Sequence, residues 1–109
     1  MIHIIRERAT AEQMRQMLEK LETYIKLAVD VRRKVITGGG EMHADCEAVL
    51  LEDGSMQADV WGADWLPKSR NIRFESLINI RPRQHNRSMR IEDQALCAQV
   101  AQIIHERLG

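Results

Sequence analysis

The chain has 109 residues, 44% hydrophobic and 29% charged, which describes one folded domain with a real core and excludes a disordered segment. No apolar run approaches the roughly 20 residues that span a bilayer, and a formal net charge of zero argues against a general nucleic-acid coat protein. That balance conceals a segregation: Val35–Pro67 carries seven acids and no Lys or Arg, whereas Lys68–Arg90 carries seven basic residues and Glu75 as its single acid.

In chain order, Ile2–Arg6 is short and β-branched and reads as a strand. Thr10 opens a helix, because Thr10 and Gln13 have capping-box spacing. Met14, Met17, Leu18, Leu21 and Ile25 fall on one helical stripe, with the end expected between Leu21 and Tyr24. Leu27, Val29 and Val31 alternate with Ala28 and Asp30 as a strand does. The strand pattern resumes through Val35–Thr37, with a bulge or tight turn at Arg32–Lys34. Gly38-Gly39-Gly40 reads as a turn. Met42–Leu51 is the next expected strand. Glu52-Asp53-Gly54-Ser55 has the chemistry of a hairpin turn, so Met42–Trp61 is expected as a hairpin with Met56–Trp61 as its return. Gly62–Asn71 reads as a loop. Ile72–Ile80 alternates apolar and polar residues as a strand and stops at Pro82, and Arg83–Ile91 is a polar loop. Asp93 is placed to cap a last helix, in which Leu96, Val100, Ile103, Ile104 and Leu108 repeat at helical spacing. The predicted order is β-α-β-β-β-β-α. It describes an α+β domain with a mainly antiparallel sheet of four to five strands and two helices on one face.

Three constellations carry chemistry. If Met42–Leu51 is extended, Glu41, His43, Asp45 and Glu47 share one face. Imidazole among carboxylates suits acid–base work or a divalent metal. Cys46 would point away from that set, and the plain alternative is a solvated strand face. In the second constellation, Arg81, Arg83, Arg87 and Arg90 are interspersed with Gln84, His85, Asn86 and Ser88. Guanidinium groups fit phosphate or carboxylate in two-pronged geometry, so this loop is a candidate anion site. Its structural alternative pairs Arg81 and Arg83 with Glu41, Asp45, Glu47 or Asp59. Thirdly, Trp61 and Trp65 lie close together in a chain that is 4% aromatic. They would either stack a ligand or cap the core. The first eight residues lack a long apolar stretch and a small-residue cleavage site, so no signal peptide is expected and the default location is cytoplasmic. Cys46 and Cys97 are then expected as free, buried thiols.

Two strings together carry a family resemblance: Gly39-Gly40-Glu41-Met42-His43-Ala44-Asp45 with Leu50–Ser55 and Trp61-Gly62, and Ile78-Asn79-Ile80-Arg81-Pro82 with Asn86-Arg87-Ser88. Over nearly its whole length the chain resembles a family of short prokaryotic proteins of unknown function. The resemblance implies no activity, substrate or cofactor. It places glycine often at the position of His85, which ranks His85 below His43 as a catalytic group.

Three readings stand side by side. A binding module would hold an anionic small molecule or a nucleic-acid backbone with Arg81, Arg83, Asn86, Arg87, Ser88 and Trp61. A small hydrolase would use His43 as base, Asp45 as its orienter and Glu41 nearby, with arginine stabilising the anion. A structural protein, including a homodimer, would use the opposed charges for cohesion alone.

Overall fold

A computed structural model describes residues 1–109. The fold is α+β, a five-stranded antiparallel sheet in the order β1-β3-β2-β4-β5. The strands are β1 (His3–Ile5), β2 (Ile25–Asp30), β3 (Val35–Gly38), β4 (Val60–Leu66) and β5 (Asn71–Arg73). The helices are α1 (Ala11–Met17), α2 (His43–Glu52) and α3 (Gln94–Leu108).

The period-2 rule assigns the two faces of the sheet. Ile25, Leu27 and Val29 of β2 pair across from Trp65, Ala63 and Trp61 of β4. They pack with Met17 of α1 and Val100, Ile103 and Ile104 of α3 in one core. Two helices therefore cover this face, as the sequence predicts. The opposite face builds a smaller core from Ala28, Val35 and Val60 with Cys46 and Leu50 of α2. A third helix covers a face that the sequence reading leaves open.

The expected caps form. Thr10 Oγ1 accepts from Gln13 N at 3.1 Å while Thr10 N donates to Gln13 Oε1 at 3.0 Å. Asp93 accepts from Ala95 N at 2.9 Å. Helical structure in α1 stops at Met17, earlier than expected, and the chain turns through Glu22 at φ 66°. Ile25 belongs instead to β2, which hydrogen-bonds to β3 on one side and β4 on the other. The tight turn expected at Arg32–Lys34 forms between β2 and β3. The buried Asp30 holds it, accepting from Arg32 N and Arg33 N at 2.9 Å each. Cys46 and Cys97 are free; Cys46 is buried and Cys97 half-buried.

Three expectations need correction. Met42–Leu51 is not a strand, and the Met42–Trp61 hairpin does not form, because His43–Glu52 is α2. Cys46 and Leu50, four apart, are its two fully buried side chains, a helical spacing. Gly54 at φ 107° follows the last turn, so Asp53-Gly54 ends a helix rather than turning a hairpin. Gly62–Leu66 is not loop but the body of β4, entered through a short 3₁₀ turn at Gln57–Asp59. Ile72–Ile80 is not one strand. Only Asn71–Arg73 pairs with β4; Ser76 N then donates to Met89 O, and Leu77–Asn79 coils into a 3₁₀ turn capped by Ser76.

Candidate functional site

The second sheet face carries the polar residues that the sequence reading singles out, in a different arrangement. Beyond the reach of β5, the edge of β4 has no strand partner. Its backbone groups are met by side chains of residues 79–81. Asn79, fully buried, accepts from Gly62 N at 2.8 Å and donates to Gly62 O at 3.0 Å and to Met89 O at 3.1 Å. One amide thus stands in for a strand neighbour, satisfying groups that would otherwise be buried unpaired. The close approach requires glycine: a Cβ on Gly62 would lie 2.6 Å from Ser76 Cβ.

Arg81 continues this edge. It donates to Gln57 O at 2.7 Å, to Ile78 O at 2.9 Å and to Val60 O. Its guanidinium lies 4.5 Å from the centroid of the Trp61 ring and 3.5 Å from Glu47 Oε2. Burial draws the Arg81 pKa below its ordinary value, while Glu47 pulls it the other way. Trp61 is 4% exposed in the main core. Trp61 is therefore committed to the fold and lines no cleft, whereas Arg81 is committed to the fold and also lines one.

On α2, residues four apart share a face and residues two apart do not. His43 and Glu47 accordingly face β4 and residues 75–84. Asp45 lies elsewhere, exposed, beside Glu41 and the Gly39-Gly40 turn. His43 meets Asp64 of β4 instead, with Nε2 2.7 Å from Asp64 Oδ1 and 3.2 Å from Ala63 O. Both neighbours are acceptors, so Nε2 is the donor, and in the neutral ring the lone pair lies on Nδ1. His43 Nδ1 makes no bond within the chain and is not sealed off from solvent. Asp64 is 6% exposed and accepts from Arg73 Nε at 3.2 Å through its other oxygen.

The 81–92 loop is pinned from inside. Asn86 Nδ2 donates to Asn79 O at 2.8 Å and to the carbonyls of Ser88 and Arg90 at 3.0 Å each, and Asn86 Oδ1 accepts from Glu92 N at 2.9 Å. Glu92 Oε2 accepts from Arg87 N at 2.8 Å and Ser88 N at 3.1 Å, and those bonds hold its carboxyl below the ordinary glutamate range. His85 sits at φ 61°, a conformation that glycine adopts without strain. Arg83, Arg87 and Arg90 are exposed, and their guanidiniums make no hydrogen bond or ion pair within the chain. Arg81 thus meets one of the acids expected for it, and Arg83 meets none.

These elements enclose a two-lobed groove between α2 and residues 75–84. One lobe, about 590 Å³, is lined by Glu47, Gln57, Arg81, Arg83 and Gln84 with Ile80. The other, about 230 Å³, is lined by Lys26, His43, Glu75 and Ser76 with Met42 and Met89. Leu77 and Ile78 line both. Leu77, Met42, Ile80 and Met89 are large apolar side chains left exposed around it. No group of three or more His, Cys, Asp or Glu is arranged to hold a metal ion, and no helix is long and apolar enough to cross a membrane.

Asp64 is the residue that sequence reasoning misses. Its signal is a lone acid between Ala63 and Trp65 on an otherwise apolar strand, a position that demands a polar partner from another element. No curated protein and no solved structure matches the chain. A family profile matches residues 3–107, and the chain belongs to that family, a protein family of unknown function (DUF5674).

Proposed function

We propose that this protein binds a small anionic ligand, bearing a phosphate or carboxylate, in the groove between α2 and residues 75–84. Arg83 is the principal contact, and Leu77 and Ile80 cover the uncharged part of the ligand. The observation that carries this reading is the contrast between neighbours: Arg81 is spent on carbonyls, Glu47 and the Trp61 ring, while Arg83 lines the same 590 Å³ lobe with no acidic partner. Because Asn86 pins the loop backbone, pairing has to order only the Arg83 side chain, and two-pronged guanidinium bonds to an anion are strong enough to offset that cost. Arg87 stands on the same loop as a second cation, and Asn86 and Ser88 hold the loop's shape.

Isothermal titration with inorganic pyrophosphate tests this. Arg83→Ala should weaken binding by about tenfold or more. Binding equal to that of the unmodified protein would refute the assignment. A nucleic-acid backbone is the other anionic source, and its signature is affinity that falls steeply with salt across several phosphate contacts. A short single-stranded oligonucleotide in the same titration separates the two.

One observation favours a second reading. His43 and Asp64 form a dyad at 2.7 Å with a free ring nitrogen beside the smaller lobe, the arrangement of a general base and its orienter. In a hydrolase of this design Asp64 holds the imidazole, and Asp45 and Glu41 lie outside the reacting centre. Turnover on a panel of ester and phosphodiester substrates, abolished by His43→Ala and reduced by Asp64→Asn, would establish it. Turnover that survives His43→Ala would dismiss it.

A further inference from the structure

A different cleft, outside the groove, lies where the start of β2 meets the β4–β5 turn. It measures about 580 Å³ and is lined by Thr23, Tyr24, Leu66, Lys68, Ser69 and Arg73. Every polar side chain in that lining can donate a hydrogen bond, and none is acidic. Arg73 is fixed in two ways. Its Nε donates to Asp64 Oδ2 at 3.2 Å, and its guanidinium lies 4.6 Å from the centroid of the Tyr24 ring. The terminal nitrogens of Arg73 make no hydrogen bond within the chain. A guanidinium held by its Nε and by one face presents its remaining N–H groups in a set plane, the geometry that suits a tetrahedral oxyanion.

We propose that this cleft is a second anion site, which takes a phosphate monoester and communicates its occupancy to His43 through Asp64. The donor set decides the ligand class. An Arg fork, the Lys68 ammonium and the hydroxyls of Thr23, Tyr24 and Ser69 exceed what the two oxygens of a carboxylate can engage, whereas the three terminal oxygens of a phosphate monoester can use them. The volume lies in the range of small-molecule sites, and Leu66 offers an apolar contact for the organic part. The link to His43 is direct, because the two oxygens of Asp64 are divided between Arg73 and His43. An anion drawing on Arg73 alters the charge that Asp64 feels, and with it the bond to His43.

The test is a nuclear magnetic resonance titration of the full chain with ribose 5-phosphate, with ribose and acetate in parallel. The expected result is saturable movement of the Arg73 Nε and Lys68 signals with ribose 5-phosphate, with the His43 ring signals moving at the same midpoint, and no movement of Arg73 or Lys68 with ribose or acetate. Arg73→Gln should weaken binding about tenfold. Lys68→Ala, at an exposed residue whose loss leaves the fold intact, should weaken it several-fold. In Arg83→Ala, which disables the groove, the Arg73 and Lys68 movements should keep their midpoint and His43 should still move with them, which separates the site from the groove. Absence of saturation, equal affinity in Lys68→Ala, or a saturated site with unmoved His43 signals would overturn the proposal.

Discussion

Replacing Asn79 by alanine removes three hydrogen bonds at once: one accepted from Gly62 N and two donated to the carbonyls of Gly62 and Met89. Asn79 is fully buried and the Gly62 bonds are internal, so water cannot replace them without opening the edge of β4. An orphaned buried donor costs about 1–3 kcal/mol, and each lost bond to a carbonyl adds about 0.5–1.5 kcal/mol. The expected loss is about 2–6 kcal/mol, a large share of the roughly 5–15 kcal/mol of a typical domain. Urea unfolding followed by circular dichroism measures it, with the denaturant slope unchanged. Asn79→Asp should be no better than alanine at neutral pH, because a carboxylate accepts from Gly62 N but turns negative oxygen toward two carbonyls. A loss below about 1 kcal/mol for Asn79→Ala would refute the view that this amide substitutes for a strand.

Arg81→Ala leaves Glu47 without its cation and frees three carbonyls, so it should cost about 3 kcal/mol or more in the same assay, and Arg81→Lys should recover little of it because an ammonium lacks the planar fork. His85→Gly should stabilise by about 0.5–1 kcal/mol, since a left-handed non-glycine residue carries strain, and His85→Val should destabilise; differential scanning calorimetry reads both. The lowered pKa of Glu92 means that its contribution is complete above the ordinary glutamate value of 4.5 and is lost as pH falls through the lower folded value. Urea midpoints collected downward from pH 5 (about half a unit above that value) should therefore fall more steeply for the native chain than for Glu92→Gln, and parallel curves would contradict the cap.

How far the fold is legible follows from where each signal is local. Thr10 with Gln13, Asp93, and the alternation through Leu27 and Val29 report on contacts within one element, and those elements form where the sequence places them, except that α1 ends early, at Met17. α2 escapes because its apolar pattern is thin: Cys46 and Leu50 alone are fully buried, and Asp53-Gly54 ends helices and turns hairpins alike. β4 escapes because Gly62 and Asp64 look like loop residues, and they are tolerated in a strand only because Asn79 and His43 come from elsewhere to meet them. The candidate site follows the same logic. His43 and the arginines are visible as residue types, but once residues 43–52 coil, Asp45 turns aside and a strand carboxylate becomes the partner. Glu47 with Arg81 and Asp64 with Arg73 are pairs across the two opposed charge blocks, as the blocks anticipate.

An anion held in the groove between α2 and residues 75–84 should perturb the backbone that lines it. Backbone amide mapping with inorganic pyrophosphate tests it most directly. Saturable shifts are expected to concentrate at Leu77, Ile78 and Gln84–Ser88 and to be absent in Arg83→Ala. Shifts confined to other surfaces, or a full set that persists in Arg83→Ala, would contradict it.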